Sequence, residues 1–318
     1  MTEGKVRPAV KHGRGGSAVS QKARDYGSAE AEKIIEVGLD FAHKGKLKDA
    51  LRAFTRAIEL DEGKCKAFRY RGISHARIGN HGAAISDFDK ALERNPECAE
   101  CFFERANVKM FAGHFDDALE DVAACLSLDK RFAPAYPLRA GIHARRGRLR
   151  EALDDINTAL SISLERPDYL HNRAVIMTGL KRYGDAIRDY FRVIELDPMS
   201  GGSYNNLAWL LATAEDPRYR DCKKAIFLAR KALEIGKNGA WLDTLAAAYA
   251  ECGSFEEAIQ VEKEAYEESN PPNENFQKRL QIYRNGMSYA QWREKGRIIG
   301  APAQSSKCRQ TFFEAVQT

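Results

Sequence analysis

Cys98 and Cys101 stand in C-x-x-C spacing, which serves a redox pair or half a zinc site because both thiols reach one ion or each other. As a zinc motif it is incomplete, with no second such pair and no histidine at finger spacing. The chain has seven cysteines, Cys65, Cys98, Cys101, Cys125, Cys222, Cys252 and Cys308, odd in number and spread out. That count reads as no disulfide framework, and the C-x-x-C sulfurs as small packing residues rather than metal ligands. Together with the absence of any Asn-x-Ser/Thr sequon, it points to a reducing, cytoplasmic location. His75 and His143 share a repeat position, two units apart, and so cannot hold one metal. Asp116-Asp117 and Asp154-Asp155 pair acids where second helices open, which suits the helix dipole. There is no Gly-rich phosphate loop with its Lys, no nucleophile elbow and no paired-histidine motif. The expectation is no catalytic residue, no metal and no cofactor.

The elements that would carry these residues follow a strict period. Ala50, Ala84, Ala118, Ala152 and Ala186 recur every 34 residues, and Ala225 and Ala258 continue the series with one long and one short step. Arg71, Arg105, Arg139 and Arg173 keep the same step, as do Asp87, Asp121, Asp155 and Asp189. Gly79, Gly113 and Gly147 mark a turn in three copies. Each copy reads as two amphipathic helices about a break: Phe102, Ala106 and Met110, then Gly113-His114, then Phe115, Ala118, Leu119, Val122 and Leu126. Middle positions of the two helices face each other, so each Arg is expected to pair with the Asp of its own copy. Copies with Val37/Ala53, Leu207/Leu228 and Leu245/Val261 lack both members together, as a pairing contact requires.

This 34-residue helix–turn–helix unit resembles the tetratricopeptide-repeat family. Its small and aromatic signature positions are carried by Gly38, Phe41, Gly45, Ala50, Phe54 and Ala57 in the first copy and by Gly72, Gly79, Ala84, Phe88, Ala91 and Pro96 in the second. Ala174, Tyr183, Ala186, Tyr190 and Pro198 carry them in the fifth, and Leu245, Ala246, Tyr249, Gly253, Phe255, Ala258 and Ala265 in the seventh. The resemblance implies an all-α, right-handed α-solenoid. Seven repeats fill residues 29–272, at 31–64, 65–98, 99–132, 133–166, 167–200, 201–238 and 239–272. A capping-helix region follows at 273–299, with Phe276, Leu280 and Tyr283 as its apolar stripe and Tyr289 and Trp292 extending it. In copy six the hairpin is longer, and Asp216-Pro217 marks a structured turn. That copy and the next look like a C-terminal repeat pair common in bacterial members.

The family binds proteins through a groove lined by the first helix of each repeat. The carboxylate clamp of the chaperone-adaptor members is missing: Pro137 and Gly141, or His171 and Val175, stand where its Lys and Asn belong. A heat-shock-chaperone tail is therefore not the expected partner. Asn172 and Asn206 hold one position in successive repeats, with Asn107 one turn further along its own helix, a ladder suited to a peptide backbone. Arg69, Arg77, Phe103, Phe111 and Trp209 are the candidate anchors beside it.

Residues 1–28 carry +4 of the net +5, in Lys5, Arg7, Lys11, Arg14, Lys22 and Arg24 against Glu3 and Asp25, and read as a disordered basic tail. Residues 300–318 form a second tail. The body is neutral overall, with acids concentrated in the last repeat (Asp243, Glu251, Glu262, Glu264, Glu268 among them) and arginines in the fourth. This polarity suits an oriented protein partner rather than nucleic acid. No stretch is long enough to span a membrane. The reading is a protein-interaction scaffold. Its alternatives are an RNA-associated adaptor using the arm around Gly13-Arg14-Gly15-Gly16, or an enzyme with a site of unfamiliar pattern.

Overall fold

The computed structural model describes residues 15–269 and 273–298, with side chains between 26 and 296. Among the described residues every regular element is helical: sixteen α-helices and one short 3-10 turn. The chain divides into two compact units, one ending at Phe132 and one beginning at Ala133. The first holds α1 (Gly15–His43), α2 (Leu47–Leu60), α3 (Cys65–Arg77), α4 (His81–Arg94), α5 (Ala99–Phe111) and α6 (Phe115–Leu128). The second holds α7 (Ala135–Arg145), α8 (Leu149–Ile162), α9 (Pro167–Gly179), α10 (Tyr183–Leu196), α11 (Gly201–Thr213), α12 (Cys222–Ile235), α13 (Gly239–Glu251) and α14 (Phe255–Glu267). It closes with α15 (Glu274–Arg284) and α16 (Tyr289–Ile298). Through α14 the helices pack in consecutive pairs, and each unit is a stack of such hairpins, an all-α repeat solenoid.

The second hairpin shows how the sequence makes the unit. Asn80 caps α4, its side chain accepting from the Ala83 N–H at 3.3 Å. Ala84, Phe88, Ala91 and Leu92 lie on one buried stripe at helical spacing. Gly79 turns the chain at φ 81, a left-handed conformation that costs a β-carbon ~1–2 kcal/mol. In the fifth hairpin Lys181 adopts that conformation at φ 61 without glycine's freedom. Gly72 is small for another reason: a β-carbon there would lie 2.9 Å from the Phe88 ring, which fills the gap between helices.

The lengthened sixth hairpin is ordered. Asp216 accepts from the Arg218 N–H at 3.0 Å, opening the 3-10 turn Pro217–Tyr219. Tyr219 packs edge-on against Tyr183, and the Asp221 N–H returns to the Leu211 carbonyl at 2.9 Å. Beyond it, α15 lies on α14, and α16 touches α11, α13 and α15.

Three readings change here. Helix α1 starts at Gly15, so residues 15–28 are helical rather than tail. At its end this stretch runs beside α2, where a β-carbon on Gly27 would lie 3.2 Å from the Leu60 carbonyl. Residues 1–14 and 299–318, with Cys308, fall outside the described residues. Second, Cys98–Cys101 and Cys222–Cys252 are disulfides, with Cα separations of 5.2 and 5.3 Å. Counting cysteines along the chain could not show that stacking brings Cys222 beside Cys252, and the count no longer argues for a reducing compartment. Third, five acids of the last repeat are buried or paired, while Glu256, Glu257 and Glu267 stay exposed. Asp243 and Glu262 are fully buried, Glu251 pairs with Arg220 at 3.1 Å, and Lys237 holds Glu264 at 2.8 Å and Glu268 at 3.3 Å. No helix among the described residues is long and apolar enough to cross a membrane.

Candidate functional site

Four hairpins carry an arginine on the first helix opposite an aspartate on the second. Arg71 donates from Nε and Nη2 to Asp87 at 2.8 and 2.7 Å, and Arg105 to Asp121 at 2.9 and 2.6 Å. Arg139 donates to Asp155 at 3.0 and 2.6 Å, and Arg173 to Asp189 at 2.6 and 2.9 Å. These are forked, charge-assisted bonds with the aspartates buried and the arginines half-buried. The remaining guanidinium N–H of three arginines reaches back into the previous hairpin, to Thr55, Asp89 and Asn157. One turn on from the arginine, a second nitrogen-bearing side chain approaches the same carboxylate: Lys109 lies 2.7 Å from Asp121, and the His75 and His143 rings lie 4.0 and 3.9 Å from Asp87 and Asp155. Burial pushes the pKa of His143 down, against the pull of Asp155. Each pair joins the first helix of its hairpin to the second.

Within each unit the first helices of successive hairpins touch, α1 with α3 and α3 with α5, then α7 with α9, α9 with α11 and α11 with α13. In the first unit their shared surface is charged and aromatic. Arg69 stacks over the Tyr70 ring at 4.7 Å and donates to its hydroxyl at 3.1 Å. Glu104 has its pKa raised by burial, with the Arg69 charge opposing the rise. Phe103 packs on Phe132 at 5.2 Å, leaving a half-buried edge. Asn107 is half-buried, Phe111 is 49% exposed, and exposed Arg77 donates to the Ala42 carbonyl at 3.4 Å.

In the second unit the corresponding surface is built of amides and hydroxyls. His171 Nδ1 lies 2.7 Å from Ser203 Oγ, and the Ser200 hydroxyl donates to Ser203 Oγ at 2.9 Å. The Asn206 amide nitrogen approaches His171 Nε2 at 3.4 Å, so Nε2 is the acceptor and the ring proton sits on Nδ1, donated to Ser203. Complete burial lowers the His171 pKa to about 4, and the ring is neutral. Asn206 also accepts from Asn205 at 3.4 Å, so half its capacity is used within the chain. Asn172, on α9, is 6% exposed, and its side chain makes no hydrogen bond among the described residues. Trp209 sits elsewhere than expected: it packs on Tyr289 of α16 at 5.6 Å, covered by the cap.

The cluster that sequence reasoning missed lies under that cap. Arg279 is 3% exposed, forms an ion pair with Asp243 and lies 3.5 Å from Glu262. Its guanidinium faces the rings of Trp209, Phe276 and Tyr289 at 5.8, 5.4 and 5.8 Å. Tyr283 is buried beside the two acids, and desolvation raises its pKa well above normal. The signal was present as an arginine inside an apolar stripe, between Phe276 and Tyr283.

The tetratricopeptide-repeat profile matches residues 38–99 and 103–168. No curated protein sequence matches the chain. A tetratricopeptide repeat protein from Parabacteroides merdae superposes with a TM-score of 0.58 at 17% identity, covering 80% of this chain and 99% of its own. The pilF protein of Pseudomonas aeruginosa superposes with a TM-score of 0.56 at 15% identity, covering 73% and 98%. At such identities the likeness concerns the fold.

Proposed function

We propose that this chain, which belongs to the tetratricopeptide-repeat family, is a non-catalytic scaffold that holds an extended peptide across the first helices of its second unit. The observation that carries this reading is Asn172. The Asn172 amide is not among the sealed, unsatisfied polar atoms of the described residues, so it faces water and can exchange that water for a ligand's backbone bond worth ~0.5–1.5 kcal/mol. A peptide backbone offers both a carbonyl and an N–H, matching the donor and acceptor of one amide. Asn206, one repeat on, keeps a second N–H and an acceptor lone pair. His171 and Ser203 hold its orientation from behind, so that little side-chain freedom is lost on binding.

The first unit carries a separate candidate surface of its own in this reading. Exposed Phe111 and Arg77 are the residue types that dominate binding energy, with Asn107, Phe103 and Arg69 around them. The partner is a protein segment, and neither a chaperone tail nor nucleic acid is expected. Catalysis has little support, because the densest group of titratable side chains, around Arg279, is sealed from solvent.

Screening the full chain against an array of unrelated linear peptides supplies ligands, and calorimetry measures them. Replacing Asn172 and Asn206 together by Ala should weaken every hit by tenfold or more, since each lost bond is worth ~1 kcal/mol. The loss should be similar across sequences, because the contact is to backbone. Unchanged affinity with helicity intact would remove the ladder and leave the first-unit anchors.

A further inference from the structure

Three cysteines from two successive hairpins meet at one point in the first unit. Cys65 opens α3, Cys98 caps α5, and Cys101 lies in the first turn of α5. Their sulfurs all lie within 4.8 Å of one another, and Cys65 Sγ is 3.8 Å from Cys101 Sγ. A tetrahedral zinc–thiolate centre with bonds of about 2.3 Å places its sulfurs about 3.8 Å apart, so one edge of that figure is already set. A second edge is closed by the Cys98–Cys101 bond, and opening it leaves both sulfurs at the N-terminal end of α5.

The helix start places a donor at the pair's sulfur. The Cys101 N–H points at Cys98 Sγ at 3.2 Å, at the positive end of α5. Burial raises the Cys65 pKa, partly offset by the Arg69 charge, with Glu100 adding to the rise. The fourth corner opens toward exposed Glu100, whose carboxylate oxygen is 3.8 Å from Cys98 Sγ. Cys98 and Cys101 are buried and Cys65 is half-buried, so Cys65 is the sulfur nearest solvent.

We propose that Cys65, Cys98 and Cys101 of the reduced chain form a three-thiolate site for a soft divalent ion of the zinc class, and that the disulfide is the metal-free, oxidised state of this site. Reduction adds two electrons and two protons to the Cys98–Cys101 bond and leaves two thiols. The ion then displaces three thiol protons, one from each cysteine. Because Cys65 belongs to one hairpin and Cys98 and Cys101 to the next, the ion ties the N-terminal ends of α3 and α5. Those are neighbouring first helices, so metal and redox state together fix their spacing.

The test uses the full chain reduced by a water-soluble phosphine, which takes up the disulfide's oxidising equivalents and water to give phosphine oxide and two thiols. After desalting under argon the chain is titrated with Co2+ and then Zn2+. One Co2+ per chain should bind, with thiolate charge-transfer absorption and the intense visible bands of a tetrahedral ion, and Zn2+ should displace it. Cys65→Ser should weaken Co2+ at least tenfold and lose about a third of the charge-transfer intensity, because one of three thiolates is gone. Cys125→Ser, and Cys222→Ser with Cys252→Ser, should change neither. Binding that survives Cys65→Ser unaltered would overturn the three-thiolate site, as would a fully reduced chain that takes up no ion. Should Cys65→Ser fail to fold, alkylation of the wild-type chain decides. One equivalent of Zn2+ must protect Cys65, Cys98 and Cys101 together, and protection of any fewer overturns the proposal.

Discussion

The second to fifth hairpins and the C-terminal cap both set arginine against carboxylate, yet the two regions treat the charge differently. Arg105 is 18% exposed, keeps Asp89 as a second acceptor, and shares Asp121 with Lys109. Arg279 is almost sealed and stands between two fully buried carboxylates. Where water and a neighbour can take over, an ion pair contributes modestly and its loss is tolerated. Where water is excluded, removing the cation leaves two buried carboxylates short of counter-charge in a low-dielectric interior. The repeated pairs therefore set helix register, whereas the single sealed cluster decides whether the end of the stack closes.

The largest effect should come from Arg279→Met. Urea unfolding followed by tryptophan fluorescence should show a loss of about 3–5 kcal/mol, and all three tryptophans lie in the second unit, where the change occurs. Adding Asp243→Asn and Glu262→Gln should restore much of that loss. An equal deficit in the single and triple variants would mean that packing, and not stranded charge, closes the end.

A buried neutral group sharpens the contrast through pH. The folded-state pKa of His171 is about 4 against an ordinary 6.5, so its contribution is present above pH 6.5 and is lost as pH falls toward 4. On the order of 3 kcal/mol of stability should disappear across that window relative to His171→Gln. Melting curves of the two proteins from pH 7 to 4 measure it, and parallel curves would place the ring in contact with solvent.

The smallest effect belongs to the ladder. Arg105→Ala should cost about 1–2 kcal/mol by circular dichroism, and adding Asp121→Ala should cost little more. Losses that simply add would dissolve the pair as a unit and narrow the difference between the two regions.

Local repetition made most of the stack readable. The alanine step marks where helices approach, and the glycine at Gly79 or Gly113 marks where the chain turns left-handed. The 16-residue offset from Arg71 to Asp87 is a distance along one hairpin, which periodicity exposes. Contacts between hairpins left weaker traces. Cys222 meets Cys252, and Trp209 meets Tyr289, only because separate elements dock, and no period records docking. Arg279 was hidden by its type, since arginine in a terminal helix normally reads as solvated surface. Asn206 kept its expected helix but not its freedom, because its partner His171 belongs to the preceding repeat.

The Cys222–Cys252 bond closes a loop with a sequence separation of 30 around the second helix of one hairpin and the first helix of the next. A stack of hairpins peels from an exposed end one unit at a time when a protease or a pulling motor takes hold. In the oxidised molecule that peeling meets a knot of covalent chain at Cys252. Everything beyond it can be stripped away, but the stretch from Cys222 to Cys252 cannot be drawn out to its full length, and α12 and α13 must be released together or not at all.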